Sequence, residues 1–346
     1  MTDIQRRPLP REKGAPSPLC RACCNRLGWC LCIMIGLMQL IWWLPLLLAD
    51  DLSKKLPVTP GTMVGTAIET AAYLMLFILP GCLYFVFSKK KAPPAEPIRV
   101  SPVMPRYFPL LILCGMAVII VAANVNAFFI DLIEFDWIYD AFPAPIRYTD
   151  GDAVAEMIIT ALAPAFAEEF MFRGVCYGNM RRYGRPFALT ASAVLFALMH
   201  QNPAQTFYTF CAGLVMGLCY ELSGSIWCGV FLHLFNNLFA VFGDVLYDRL
   251  GDNYGAIMTL VDAAIILLGL GSALWLYVIL RRQRETDEKP TGGGLFGNLP
   301  PSLPSVTVEY PDTLSAVRAF FAPGMIVYVS LSLACTVLGL FGILLI

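Results

Sequence analysis

Residues 107–130 read YFPLLILCGMAVIIVAANVNAFFI, an apolar run that contains no Asp, Glu, Lys or Arg. An α-helix needs about 20 apolar residues to cross the hydrocarbon core of a bilayer. A run of this length would also be hard to cover with polar surface in a small soluble domain. The run therefore predicts a transmembrane helix, and it decides the fold class.

The composition extends this conclusion to the whole chain. Of its 346 residues, 58% are hydrophobic and 14% are charged, whereas about 25% are charged in an average soluble domain. The mean hydropathy is +0.67. These values exclude a soluble enzyme, a disordered chain, a coiled coil and a nucleic-acid-binding domain. We predict an all-α polytopic membrane protein whose surroundings are the lipid bilayer and which has no nucleic-acid partner.

Similar apolar runs recur along the chain and predict about nine transmembrane helices, hence a multi-pass integral membrane protein, located in the plasma membrane if the source is bacterial. The predicted helices cover residues 28–49, 61–87, 107–130, 153–178, 186–200, 205–222, 225–242, 254–280 and 323–346.

The basic residues predict the orientation. Lys and Arg cluster in the N-terminal tail and directly after the second, fourth and eighth predicted helices. With nine helices and a cytoplasmic N-terminus, every one of these clusters lies in the cytoplasm, as the positive-inside rule requires. The acidic loop at 131–150 then lies on the opposite side. We therefore predict a cytoplasmic N-terminus.

Five cysteines crowd the start of the first apolar run. We interpret them as thiols beside the membrane in a reducing compartment. Lipidation is an alternative, and a zinc knuckle is a weaker one, because the pairs are much closer together than the usual ~15–20 residues. They are Cys20, Cys23, Cys24, Cys30 and Cys32.

The fourth predicted helix carries three ionisable residues in the run AEEFMFRG, residues 167–174. Each costs roughly 2.5–3.5 kcal/mol in a membrane, so such residues are functional candidates. Glu169 and Arg173 are four apart and can pair on one helix face. Glu168 is rotated by about 100° and has no local partner. The pattern predicts a supporting ion pair and one carboxylate that is free to act.

The only two histidines also lie in apolar segments. His200 is in the fifth predicted helix, and Phe196, four residues earlier, can pack against its ring. His233 is in the seventh, where Asn237 shares its face and Asn236 is nearly as well placed.

These side chains are predicted to lie at similar depths in the membrane. At ~1.5 Å per residue, Glu168 lies roughly 18–20 Å from the cytoplasmic end of its helix, His200 about 21 Å, and His233 and Asn237 roughly 12–18 Å. A carboxylate beside an imidazole can deprotonate water, while a second imidazole and an amide can donate hydrogen bonds to an oxyanion. This is a constellation for amide hydrolysis. His200, His233 and Glu168 could instead hold zinc with a water as fourth ligand.

The motifs resemble the CPBP (Abi) family, intramembrane proteases related to the type II CAAX prenyl endopeptidases. Glu-Glu-x-x-x-Arg is at 168–173, Phe-x-x-x-His at 196–200 and His-x-x-x-Asn at 233–237. Each motif alone is weak, but all three occur in order on separate predicted helices. The resemblance covers about residues 150–242.

The resemblance implies a hydrolase that cleaves a peptide bond within or beside the membrane. Glu168 with His200 would activate water, and His233 with Asn237 would stabilise the oxyanion. Glu169 and Arg173 of the first motif would be supporting residues. This glutamate mechanism requires no cofactor, although zinc stays possible. The implied partner is a membrane-anchored protein or peptide, which in eukaryotic relatives carries a prenylated C-terminus.

The resemblance also divides the chain. Residues 107–280 would form the protease core, with its motifs at 168–237. The predicted parts around it are a basic, Cys-containing cytoplasmic tail (1–27), two transmembrane helices and a basic loop (28–106), a cytoplasmic linker (281–322) and a last transmembrane helix (323–346).

Two other functions are kept open. The chain could be a catalytically inactive scaffold or immunity protein that keeps the fold, or a proton-coupled transporter that uses Glu168 as a relay.

Overall fold

The protein is almost entirely helical. The computed structural model describes residues 17–52, 63–89, 95–100, 107–133, 138, 157–285 and 313–340. Of these described residues, 92% are helical and none lies in a strand. The helices are α1 (Pro18–Leu52), α2 (Met63–Ser88), α3 (Phe108–Leu132), α4 (residues 157–180), α5 (Arg185–Met199), α6 (Pro203–Ser223), α7 (Ile226–Leu250), α8 (Tyr254–Glu285), α9 (Thr313–Phe320) and α10 (Pro323–Leu340).

Six of the described helices are long and apolar enough to cross a membrane: α1, α2, α3, α7, α8 and α10. The other predicted crossings correspond to α4, α5 and α6, which are helical as expected. Helix α5 is too short for the length criterion, and α4 carries the charged motif in its middle. The all-helical prediction is therefore confirmed, while the count of about nine crossings stays a prediction.

The helices pack around α4 and α7. Helix α1 packs against α2, α9 and α10, while α3 packs against α6 and α8. Helix α7 contacts α3, α4 and α6, and α4 contacts α2. The polar motifs lie on α4, α5 and α7, so the packing brings them into the interior of the bundle.

Helix α4 departs from regular α geometry. It is a π-helix over Met157–Leu162, an α-helix over Ala163–Glu169 and a π-helix again over Phe170–Tyr177. The sequence argument assumed 3.6 residues per turn throughout. π-Segments are rare and occur frequently at functional sites. Here the change from α to π geometry falls directly after the two adjacent glutamates.

A tight connection joins α5 to α6. Gln201 has a φ of 50°, in the left-handed region that non-glycine residues rarely adopt. The side chain of Asn202 then accepts a hydrogen bond from the backbone N–H of Ala204 at 2.9 Å, which caps α6, and Pro203 opens the helix. Gln201 is buried, and its side-chain oxygen accepts a hydrogen bond from Gln39 of α1 at 2.9 Å. This bond ties the end of the His200 helix to α1.

Helices extend into the two segments that were predicted as a tail and a linker. Helix α1 begins at Pro18, so residues 18–27 of the predicted tail are helical. The reason is packing, because Cys23 is buried with its thiol 3.5 Å from the hydroxyl of Tyr84. The predicted linker likewise contains the end of α8, to Glu285, and the whole of α9.

A glycine contact sets the crossing of α1 and α10. A Cβ on Gly28 would overlap the backbone of Gly324 and Met325. The backbone N–H of Gly324 also donates to the side-chain oxygen of Asn25 at 2.7 Å. Close approach of two backbones through small residues is how membrane helices associate in the absence of a hydrophobic driving force.

We expect Gly28→Ala to lower the free energy of unfolding by about 1–3 kcal/mol, because the added methyl must push two backbones apart. Gly36→Ala on the same helix is the matched control, since no atom lies within 4 Å of its added Cβ. It should be neutral or stabilise by about 0.5–1 kcal/mol. Thermal unfolding of the purified protein in detergent measures both variants, and equal shifts would contradict the contact.

Candidate active site

A buried ion pair lies at the centre of the site. Nη1 of Arg173 lies 2.6 Å from Oε1 of Glu169, and the two side chains are 1% and 0% exposed. Nη2 donates to the backbone oxygen of Gly213 on α6 at 3.1 Å. The guanidinium also lies over the ring of Phe196, 4.4 Å from its centroid. The arginine thus joins α4, α5 and α6 around one carboxylate.

His233 of α7 lies between the two glutamates of α4. Its Nδ1 is 3.1 Å from Oε1 of Glu169, and its Nε2 is 3.8 Å from Oε2 of Glu168. The first distance is a hydrogen bond and the second is too long for one. A carboxylate only accepts, so the bond to Glu169 places a proton on Nδ1 and turns Nε2 towards Glu168.

Close approach of α7 to Glu169 depends on a glycine. A Cβ on Gly229 would lie 2.5 Å from Oε2 of Glu169. Gly229 precedes His233 by four residues and shares its helix face. The absence of a side chain there lets the carboxylate reach α7.

Glu168 has one occupied and one unoccupied oxygen. The hydroxyl of Tyr73, on α2, donates a hydrogen bond to Oε1. Oε2 is buried and has no hydrogen-bond partner among the described residues. The side chain is nearly inaccessible, at 5% exposure. A carboxylate oxygen left in this way is a site for a small polar ligand such as water.

His200 is held by its own helix. Its Nδ1 lies 2.9 Å from the backbone oxygen of Phe196. A carbonyl only accepts, so this bond puts the proton on Nδ1 and leaves Nε2 as an acceptor in the neutral ring. The ring of Phe196 packs edge-on against both His200, at 4.9 Å between centroids, and His233, at 5.8 Å. In the described structure no hydrogen bond joins His200 to Glu168.

The two asparagines of α7 form a chain with α6. Nδ2 of Asn236 donates to the hydroxyl of Tyr208 at 2.6 Å and to Oδ1 of Asn237 at 3.1 Å. Both amide protons of Asn236 are therefore used. The oxygen of Asn237 accepts one of these bonds, and the donor that Asn237 can offer is its N–H₂.

Zinc is the alternative occupant that the sequence leaves open for this site. Zinc takes three protein ligands and a water in catalytic sites. Over the described residues, no group of three or more His, Cys, Asp or Glu side chains could hold a metal ion. The predicted zinc set of His200, His233 and Glu168 is not among such groups, and we derive no step through a metal.

Three residues of the site were missed by sequence reasoning: Tyr73, Tyr208 and Gly229. The two tyrosines lie in apolar runs on other helices, and nothing in their spacing marks them. Gly229 could have been found, because it lies one helical turn before His233.

The site is thus a cluster of carboxylates, histidines and amides inside a bundle of apolar helices. Residues 150–239 match the family model described as Type II CAAX prenyl endopeptidase Rce1-like. The resemblance predicted from the three motifs is confirmed over this segment. The chain matches no curated protein and no solved structure. The apolar helices and this match point to an integral membrane protein, and the matched family is one of proteases.

Proposed function

We propose that the protein is an intramembrane endopeptidase that uses Glu168 to activate water. The observation that carries the proposal is the state of the Glu168 carboxylate, which is buried, has a donor on Oε1 and none on Oε2, and faces Nε2 of His233 at 3.8 Å. A water seated at Oε2 would lose a proton to the carboxylate as it attacks a carbonyl carbon. The same carboxyl group would then return the proton to the leaving amine.

His200 is proposed as the second partner of that water. Its ring is held by Phe196 with Nε2 as an acceptor, which is the state needed to orient a water molecule. The ring packs on the same phenylalanine as His233. The substrate carbonyl and its attacking water would therefore lie near the two imidazole rings that contact Phe196.

His233 and Asn237 are proposed as donors to the developing oxyanion. Nε2 of His233 would donate to the oxyanion once it carries a proton, while Glu169 holds Nδ1. Asn236 donates a hydrogen bond to the oxygen of Asn237, which fixes that amide, and the donor group of Asn237 is its N–H₂. Donors that are fixed before the reaction stabilise a transition state at little reorganisation cost. Glu169, Arg173, Phe196 and Asn236 act as supporting residues in this scheme.

The membrane arrangement belongs to the same proposal. We propose about nine crossings with a cytoplasmic N-terminus, which places the site at mid-depth in the bilayer. A peptide bond reaches that depth most readily when its chain is anchored in the membrane. The substrate class is therefore a membrane-anchored protein or peptide, with a prenylated C-terminus as the first candidate. The glutamate mechanism uses no cofactor.

The experiment that tests this function compares the termini of membrane proteins by mass spectrometry. Cells carrying the wild type are compared with cells carrying Glu168→Ala at matched abundance. We expect one or more new N- or C-terminal ends in the wild-type cells that are absent from the variant cells. A cut three residues before a C-terminus, directly after a cysteine, would identify a prenylated substrate.

Identical sets of termini in the two cell types would contradict the protease and favour an inactive scaffold. Asp262→Asn is the control, because Asp262 lies on α8 and bonds to Asn124 rather than to a site residue. Loss of the new termini in both Glu168→Ala and Asp262→Asn would therefore point to a general defect of the protein. A transporter would instead be recognised by flux across proteoliposomes that depends on Glu168.

A further inference from the structure

The second helix lies outside the segment that matches the protease family, and it nevertheless contributes to the site. Tyr73, on α2, donates its hydroxyl hydrogen bond to Oε1 of Glu168. Helix α2 packs directly against α4. This hydroxyl is the one protein donor to the Glu168 carboxylate among the described residues, and the ion pair of the neighbouring Glu169 does not involve Tyr73.

The tyrosine ring is itself held in place. Its centroid lies 5.2 Å from that of Phe77, one helical turn later on α2. Phe77 is buried and packs edge-on against Phe172 of α4, at 6.5 Å between centroids. At Gly81, one turn further, a Cβ would overlap the ring of Phe170 on α4. Aromatic contacts therefore keep this stretch of α2, and the hydroxyl with it, at a set position against α4.

We propose that Tyr73 is a positioning residue for Glu168. This inference rests on the proposed function. The terminal torsion of a glutamate side chain has a broad, roughly two-fold preference, so an unrestrained carboxylate turns easily. A donor on Oε1 fixes that torsion and leaves Oε2 as the oxygen that faces His233 and receives the proton of the water. Tyr73 keeps its own proton throughout.

A positioning role for Tyr73 affects proton transfer but not substrate binding, whereas a purely structural role would not distinguish the two. Binding of the substrate does not require the carboxylate to be oriented, whereas proton transfer does. Removal of the hydroxyl should therefore lower kcat and leave KM unchanged. A loosened helix packing would instead raise KM or lower the temperature of unfolding.

The test compares Tyr73→Phe with Tyr84→Phe in proteoliposomes. Tyr84 is a matched control, because it is buried on the same helix and its hydroxyl lies 3.5 Å from the thiol of Cys23. The probe is a quenched fluorescent peptide that ends in a farnesylated cysteine followed by Val, Ile and Met. Wild type and Glu168→Gln are measured beside them, and thermal unfolding is recorded for all four proteins.

We expect Tyr73→Phe to lower kcat by about 10²-fold with KM and the unfolding temperature unchanged, as a small misplacement of a catalytic group does. Tyr84→Phe should keep the wild-type kcat. A wild-type kcat in Tyr73→Phe, or equal losses in both tyrosine variants, would overturn the inference and leave the proposed function standing. No cleavage by the wild type would overturn the proposed function for this substrate class, and the inference with it.

Discussion

Glu168→Gln is expected to lower kcat for the farnesylated peptide by about 10³-fold, within the range that general-base catalysis contributes. The amide has the shape of the carboxyl group but cannot take a proton from water. Its carbonyl oxygen can still accept the hydrogen bond of Tyr73, so the packing of α2 on α4 should persist. Initial rates in proteoliposomes measure the loss, and circular dichroism and thermal unfolding measure the fold.

Asp262→Asn is the matched control for this variant. Asp262 is also a carboxylate on an apolar helix, and it accepts its hydrogen bond at 3.0 Å from Asn124 of α3, which is not a site residue. It should retain the wild-type kcat. Activity within a few-fold of the wild type in Glu168→Gln would exclude the carboxylate as the base.

Arg173→Met is expected to have the largest effect on stability, a loss of about 3–5 kcal/mol in the free energy of unfolding. Methionine keeps much of the apolar volume but leaves Glu169 buried without its cation. The native arginine is 1% exposed. The variant also lacks its hydrogen bond to Gly213 and its contact with the Phe196 ring. Unfolding in detergent, followed by temperature or denaturant, measures the change.

Arg185→Met tests whether the effect comes from burial. The side chain of Arg185 is 68% exposed and pairs with Glu221 at 3.0 Å. An exposed ion pair contributes about 0–1 kcal/mol, so this variant should unfold close to the wild type. Adding Glu169→Gln to Arg173→Met should recover part of the loss, because it removes the uncompensated charge. Equal stability of the two arginine variants would refute the argument.

Local relations in the site could be predicted well from the sequence. The pairing of Glu169 with Arg173 and the packing of Phe196 on His200 are both relations over four residues of one helix. Helical periodicity dictates such neighbours wherever the helix forms. The separate direction of Glu168 follows from the same periodicity, and in the structure this side chain reaches a residue that Glu169 does not contact.

The partners of these residues on other helices could not be predicted in the same way. Glu168 was expected to activate water together with His200, and the structure also places Nε2 of His233 at 3.8 Å from its Oε2. Glu169 was expected to pair with Arg173, and helical periodicity gave no sign that it also binds His233 of α7. Depth estimates placed all these residues at one level of the bundle, but depth does not give the rotation of each helix about its axis.

The sequence by itself determined the membrane class, the helical runs and the three motifs, because apolar length and local periodicity are properties of neighbouring residues. The tertiary structure alone decided that Tyr73 of α2 holds Glu168, that Tyr208 of α6 engages Asn236, and that Gly229 lets Glu169 approach α7. These contacts join residues far apart in the chain. They depend on how helices cross and rotate against each other, which is set by the packing of many side chains at once.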